Sequence, residues 1–441
     1  MNNLKLSRYT ILTKDNKNTY LLNTFNANRL IIPEKFHDFL LTIFSDINNA
    51  KYQNPVNFLY EQGFLVDSSE NELEKVIKKY DQGRHSTKDI SLLITPSLRC
   101  NMNCFYCYQD RKDTNKLNRF DSQALVEFVD SKIDIGGNIN VTWFGGEPLL
   151  QMDFIIGLTN RLKKLALLKK GEYRATMVTN GYYLTNEVVK NFKELSISSI
   201  QITFDGDSVY HDNTRKSKNK NLLKRDKTFY QIIDNIKHAG DKVNVTIRVN
   251  VNQLNKNSIN NLIKQLSEQN LQRKINDIYF HPVFNYKVNE SKKQYNLDPK
   301  INLTMEEYSA LEVEWIENAI REGFQVKLRV SSDFHGCAAV KTNSFTVDSN
   351  GEIKKCDNEI GEKDTACYSL RDKEFINYEQ LHKWDKYRPE KNQYCSQCHF
   401  FPTCYSNCPH RNMISEIDRK EKCPSFKFNW QKVFPKILPI H

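Results

Sequence analysis

Cys100, Cys104 and Cys107 stand in the spacing C-x-x-x-C-x-x-C directly after an apolar, strand-like run. Three thiolates can hold three irons of a 4Fe–4S cube and leave the fourth iron without a protein ligand. Ferredoxin-type clusters are closed by four cysteines, because electron transfer needs no open site. An open iron is what a cluster needs in order to bind and reduce a small molecule directly. On spacing alone, the same three cysteines could also be structural or hold zinc. Eight of the chain's eleven cysteines lie beyond residue 330. Cys395, Cys398, Cys404 and Cys408 run C-x-x-C, C-x-x-x-C-P, and Cys423-Pro424 follows. Upstream, Cys337 and Cys356 flank Asp348-Ser349-Asn350-Gly351, whose Asn-Gly is a hairpin signal, and Cys367 is a further thiol.

The elements that must position these residues can be read from the pattern around them. Ser91–Thr95 reads as a buried parallel strand whose C-terminal end leads into the cysteine loop, and in α/β barrels the chemistry sits on such loops. A second strand, Ile139–Phe144, ends in Gly145-Gly146-Glu147-Pro148. Adjacent glycines let the backbone approach a ligand closely, and the Glu147 carboxylate can accept bonds from an ammonium group. Ala175–Val178 ends in Thr179-Asn180-Gly181, and Ser199–Phe204 ends in Asp205-Gly206. Val243–Val249 carries Arg248, and Asp277–Val283 carries His281. Helical patterns fill the intervals at Ser122–Ile133, Asp153–Lys169, Asn186–Leu195, Phe229–Ala239 and Ile259–Gln269. This alternation predicts parallel βαβ units. Six units in about 200 residues are too few for a closed eight-stranded barrel of about 250.

The three-cysteine loop with Phe105 and Tyr106 between its last two cysteines, followed by GGEP, resembles the radical S-adenosylmethionine (AdoMet) enzymes. The resemblance implies a partial (β/α)6 TIM-like barrel in which AdoMet chelates the open iron. An electron from the cluster then yields a 5′-deoxyadenosyl radical. It further implies that Tyr106, Gly145, Gly146 and Glu147 serve AdoMet binding, with Glu147 at the amine. Thr179 and Asn180 would lie near the ribose, and Thr203, Arg215 and Arg248 near the ribose or carboxylate. Each of these could instead make ordinary strand-end hydrogen bonds or a surface ion pair. The C-terminal cysteines closely resemble the SPASM domain, which carries auxiliary 4Fe–4S clusters in radical AdoMet enzymes acting on peptides. By that likeness Cys395, Cys398, Cys404 and Cys423 hold one auxiliary cluster, and Cys337, Cys356 and Cys408 the other. Some SPASM proteins have a further cysteine where Ser331 stands here. Cys367 could therefore be a fourth ligand, a packed thiol, or a bystander to an open iron. Structural zinc remains the competing reading of the array.

Before the barrel, Tyr9–Thr13 and Thr19–Asn23 alternate like a hairpin, and Arg29–Ile32 reads as a third strand. Helical patterns from Pro33 to about Phe44 and over Val56–Gln62 follow, then a strand at Phe64–Val66 and a helical linker from Glu72 to Lys79. This resembles the winged-helix-like domain that recognises precursor peptides by strand addition. The domain organisation expected is 1–85 for peptide recognition, 86–300 for the barrel, 301–336 for a bridging helix and linker, and 337–441 for the SPASM domain.

With 441 residues, two or three domains are expected. The N-terminus has no apolar signal-peptide core and no run reaches the roughly 18 apolar residues of a membrane span. A cytoplasmic chain with reduced thiols is therefore expected, its clustered cysteines serving metal or catalysis. The net charge of +11 could attract an acidic partner. The densest basic run, Arg215 to Lys227, reads first as a solvated loop, and it lacks the interleaved aromatics that single-stranded nucleic acid binding uses.

The resemblance thus implies hydrogen-atom abstraction from a ribosomally made peptide and an oxidative carbon–carbon or carbon–sulfur crosslink. Its partners would be a leader-bearing precursor peptide and an electron donor such as flavodoxin or ferredoxin, with no nucleic acid and no membrane. The alternatives are an anaerobic sulfatase-maturating enzyme, in which Asp357 would be the catalytic base, and a non-catalytic iron–sulfur or zinc protein.

Overall fold

The structure, a computed structural model, describes residues 3–107, 109, 115–218, 228–284, 301–328, 336–362, 364–413 and 417–438. Residues 219–227 of the basic run, Ser331 and part of the expected linker lie outside the described residues. The chain divides into two compact units. One comprises Met1–His85, Lys327–Cys337 and Tyr387–His441; the other comprises Ser86–Val326 and Ala338–Lys386.

The second unit is built on six parallel strands: Ile90–Ile94, Ile139–Trp143, Tyr173–Thr179, Ile197–Phe204, Asn244–Val251 and Asp277–Pro282. Each pairs in parallel with the next. The strand order is linear, and Asp277–Pro282 is left as one edge of the sheet. Beyond Ile90–Ile94 the sheet continues with Ser344–Val347 in parallel. An antiparallel hairpin to Glu352–Lys354 follows, turned by Gly351 at φ 79°.

Helices fill the intervals and are fixed to the sheet by apolar stripes. Thr228–Ala239 buries Phe229, Ile232, Ile233 and Ile236, and Ile259–Glu268 buries Ile259, Leu262, Ile263 and Leu266. Both follow the i, i+3, i+4, i+7 spacing of one helix face. Arg119–Lys132 starts at a capping box in which the Asn118 and Asp121 side chains each accept the other's backbone N–H. One expected helix is shorter. Asn186–Lys190 is helical, after which Asn191 and Phe192 donate three residues back and Ser196 takes a left-handed φ of 54°. This winds the chain into turns before the next strand.

In the first unit, Thr10–Lys14, Asn18–Asn23 and Arg29–Pro33 form the expected antiparallel meander. Helices His37–Ser45, Gln53–Glu61 and Glu72–Arg84 follow. Leu65–Asp67 pairs with Leu4–Leu6, a strand the sequence pattern does not announce. Leu21, Leu40, Ile43, Val56, Leu59, Phe64 and Leu65 make the core here.

The C-terminal segment belongs to the same unit and is bound to these elements by specific contacts. The fully buried Arg84 donates to the Tyr387 carbonyl at 3.0 Å, and Tyr80 stacks on Tyr405 with ring centroids 4.2 Å apart. Thr13 Oγ1 donates to the Gln431 carbonyl in the helix Phe426–Ile437. No helix among the described residues is long and apolar enough to cross a membrane.

Candidate active site

Residues at the C-terminal ends of the first five parallel strands, and in the loops that leave them, line a cleft that opens to solvent. Its lining includes Cys100, Cys104, Cys107, Tyr106, Gly145, Gly146, Thr179, Asn180, Thr203 and Arg215. Residues drawn from five separate stretches of sequence thus meet in one place. Burial pushes the Cys104 thiol up to about 12 and raises Cys100 as well, so a metal binding there would displace their protons.

The Gly-Gly-Glu turn is shaped by the cysteine loop. Gly146 and Glu147 donate their backbone N–H groups to the carbonyls of Ser97 and Arg99 at 3.1 and 2.9 Å. A Cβ on Gly145 would come within 2.7 Å of the Ser97 oxygen, and one on Gly146 would collide with the Leu98 and Arg99 carbonyls. The close approach that glycine permits is therefore to residues 97–99, and it sets the two loops side by side.

Glu147 is buried under this turn rather than lining the cleft. Its carboxylate accepts from Thr179 Oγ1 at 2.7 Å, from the Asn180 N–H at 2.8 Å and from the Leu149 N–H at 3.0 Å. Burial raises its pKa, and these donors pull it partly back. Three of roughly four acceptor positions are thus taken, so Glu147 pins the loops after the second and third strands to each other. Glu147→Ala should therefore lower the stability of this unit by on the order of 3 kcal/mol, since it strands three buried donors. An unchanged denaturation midpoint would show that those bonds are dispensable.

Tyr106 and Arg215 form a buried polar network with two residues that the motif spacing did not mark. Tyr106 Oη donates to Asp205 Oδ1 at 2.6 Å and accepts from Arg215 Nη1 at 2.8 Å and Asn250 Nδ2 at 3.1 Å. Arg215 also pairs with Asp205 at 3.5 Å. Burial raises the Asp205 carboxyl, and the Arg215 guanidinium opposes that rise. Arg215 Nε and Asp205 Oδ2 are buried without a hydrogen-bond partner, and of these two residues Arg215 lines the cleft.

The start of the basic run is not a free solvated loop. Asn103 donates to the Lys216 carbonyl and Lys218 to the Asn101 carbonyl, both at 2.8 Å, and Met102 bridges Ser217. These backbone bonds seat Arg215 beside the cysteine loop.

The remaining expected residues lie elsewhere. Arg248 bonds Asn250 Oδ1 and His281 Nδ1 at 2.8 and 2.9 Å and does not line the cleft. Asp357 adjoins Cys356, with Oδ1 3.8 Å from its sulfur, and is likewise not a cleft residue. Cys367 is 1% exposed and its thiol donates to the Ile353 carbonyl at 3.1 Å, the contact of a packed thiol.

A second cavity is lined by Cys395, Cys398, Cys404 and Cys423 together, the four thiols the spacing grouped. Cys337 and Cys408 belong to the same unit as this cavity and Cys356 to the other unit; none of the three lines either cavity. All eleven cysteines are free thiols. Among the described residues no three His, Cys, Asp or Glu side chains converge on a single metal-ion position. Seven of the eleven thiols line one or other of the two cavities.

The Radical SAM superfamily profile matches residues 94–266. The radical SAM cyclopropyl synthase TigE of Paramaledivibacter caminithermalis is 26% identical over 234 residues, 48% of this chain and 47% of that protein. The Fe-coproporphyrin III synthase of Methanosarcina barkeri is 28% identical over 121 residues, 27% of this chain and 28% of that one. The chain matches about half the length, or less, of these curated relatives. Among solved structures, anSMEcpe with bound AdoMet superposes with a TM-score of 0.60 at 20% identity, covering 79% of this chain and 98% of that one. SuiB of Streptococcus suis bound to precursor peptide SuiA gives 0.54 at 16% identity, covering 95% and 98%. The matched span holds the cysteine loop and the Gly-Gly-Glu turn, and the shared fold is a partial α/β barrel with added N- and C-terminal regions. Residues 94–266 thus match the radical SAM superfamily, and the fold they belong to is that of its partial barrel.

Proposed function

We propose that this enzyme modifies a ribosomally synthesised precursor peptide, abstracting a hydrogen atom from one residue and closing an oxidative carbon–carbon or carbon–sulfur crosslink. The observation that carries this reading is the reach of the likeness to SuiB, which spans 95% of this chain and so includes regions outside the barrel. The three-stranded sheet and helices of residues 4–84 fit a winged-helix-like reader of a leader segment. The cavity of four thiols fits a SPASM-type auxiliary cluster, and flavodoxin or ferredoxin would serve as electron donor.

Cys100, Cys104 and Cys107 would hold the cleft cluster, whose open iron suits AdoMet. When bound, the pair supplies a 5′-deoxyadenosyl radical. The protein's own share is position and exclusion. Leu98, Met102, Phe144 and Val178 line the cleft with apolar surface that keeps water from a reactive centre. Arg215, held by Tyr106 and Asp205, presents a fixed positive charge to a carboxylate. Thr203 and the Asn180 amide offer polar atoms beside it. Sulfatase maturation is the weaker reading, since Asp357 lies away from the cleft.

The test is mass spectrometry of a candidate precursor, encoded beside this enzyme, after anaerobic incubation with the reconstituted protein, AdoMet and reductant. A product lighter by two hydrogens, formed with 5′-deoxyadenosine and dependent on the leader segment, is expected. Leader-independent conversion of a cysteine or serine to an aldehyde would overturn the reading in favour of sulfatase maturation.

A further inference from the structure

The four-thiol cavity is surrounded by positive charge. Its lining includes Arg419, Lys422 and Lys427, and none of its lining residues carries a carboxyl. Two donors are aimed at one sulfur: Arg419 Nη2 donates to Cys395 Sγ, and Ser406 Oγ donates to it from 2.9 Å. Lys427 is held over the Tyr394 ring at 3.6 Å from its centroid, which fixes a second cation at the cavity wall.

The backbone that delivers Ser406 is strained. Tyr405, Ser406 and Asn407 take φ values of 42°, 67° and 60°, three consecutive left-handed residues without a glycine. A left-handed conformation costs an ordinary residue about 1–2 kcal/mol. Such strain persists where the surroundings over-determine it and clusters at functional sites. Here the turn is locked by the Asn407 N–H on the Cys404 carbonyl at 2.7 Å and by Asn412 Nδ2 on the Ser406 carbonyl. Its result is a hydroxyl directed at the Cys395 sulfur.

We propose that Arg419 and Ser406 tune an auxiliary iron–sulfur cluster held by Cys395, Cys398, Cys404 and Cys423. Together with the field of Lys422 and Lys427, they raise its reduction potential. The physical sign is fixed. Reduction adds one negative charge to the cluster, and hydrogen bonds to a ligating sulfur and nearby cations stabilise the charged state more than the oxidised one. Arg419 and Ser406 are positioning groups that act through the Cys395 sulfur. The inference rests on the reading of these four cysteines as cluster ligands.

The test is a redox titration followed by electron paramagnetic resonance. It uses the full chain with Cys100, Cys104 and Cys107 replaced by alanine, so that the cleft cluster contributes no signal. The feature lost on Cys395→Ala identifies the centre to be followed. Arg419→Gln and Ser406→Ala should each shift its midpoint to more negative potential at unchanged iron content, and Arg419→Lys should recover part of the shift. Lys420→Gln, outside the cavity lining, should leave it in place. An unmoved midpoint in Ser406→Ala and Arg419→Gln with iron retained overturns the tuning role. If Arg419→Gln assembles no cluster, Ser406→Ala, which removes only a hydroxyl, decides alone. Iron content that stays constant in Cys395→Ala and Cys398→Ala would instead remove the cluster reading on which the inference stands.

Discussion

Replacing Cys100, Cys104 and Cys107 together by alanine should remove about four irons per chain and bring 5′-deoxyadenosine formation down to that of a protein-free control. The expected loss is complete because the three thiols line one cleft and belong to one loop. No thiol of the cleft is left to hold a cube. The fold around them should survive. The loop is held by backbone bonds from Gly146 and Glu147 on one side and by the 216–218 segment on the other, and neither uses a cysteine side chain. Unchanged circular dichroism with lost AdoMet cleavage would therefore report chemistry rather than collapse. AdoMet cleavage that persists in the triple variant would move the cofactor site away from this cleft.

The barrel strands were legible because each is a short apolar run bounded by turn residues. Their residue patterns carried both ends to within about two or three residues, close to the limit for strand ends. Asp277–Val283, for example, is observed as Asp277–Pro282. The four-thiol cavity was legible for a similar reason, since its cysteines are close in sequence and their spacing reports a shared site. What could not be read is every contact between distant stretches. Tyr106 and Asp205 are 99 residues apart and Tyr106 and Asn250 are 144 apart. An aromatic in a cysteine loop carries no local sign of the carboxylate that will meet its hydroxyl. Hydrophobic alternation reports that a face is buried and not what buries it. For this reason the glycines of residues 145–146 carry no local sign of the backbone of residues 97–99 that packs against them. Arg248 shows the converse limit. It sits on a barrel strand as expected, but its guanidinium is committed to Asn250 and His281.

The same blindness to distant partners governs the second prediction, for a chain lacking residues 1–85. Read as a separate recognition domain, this segment could be removed with loss of peptide modification alone. The structure gives it a second task, because it shares one compact unit with residues 387–441. Removing it takes away Tyr80 from the face of Tyr405, Arg84 from the Tyr387 carbonyl, Asp81 from Arg388 and Arg8 from the Ser396 carbonyl. Re-exposing a ring such as Tyr405, now 3% exposed, costs about 1.5–3 kcal/mol. Several such losses together exceed what a small lobe can spare, given that whole domains are stable by about 5–15 kcal/mol. Tyr405 also lies in the strained turn beside Cys404, so loosening its ring loosens the four-thiol cavity itself. The truncated protein should thus lose peptide modification and also about four irons. Radical formation in the absence of peptide should persist, because the cleft lies wholly within the other compact unit. Iron analysis separates the two accounts. Full iron content with lost modification would mean that residues 1–85 only read the peptide. A joint loss of modification and one cluster's worth of iron would mean that the peptide reader and the auxiliary-cluster lobe fold as one body.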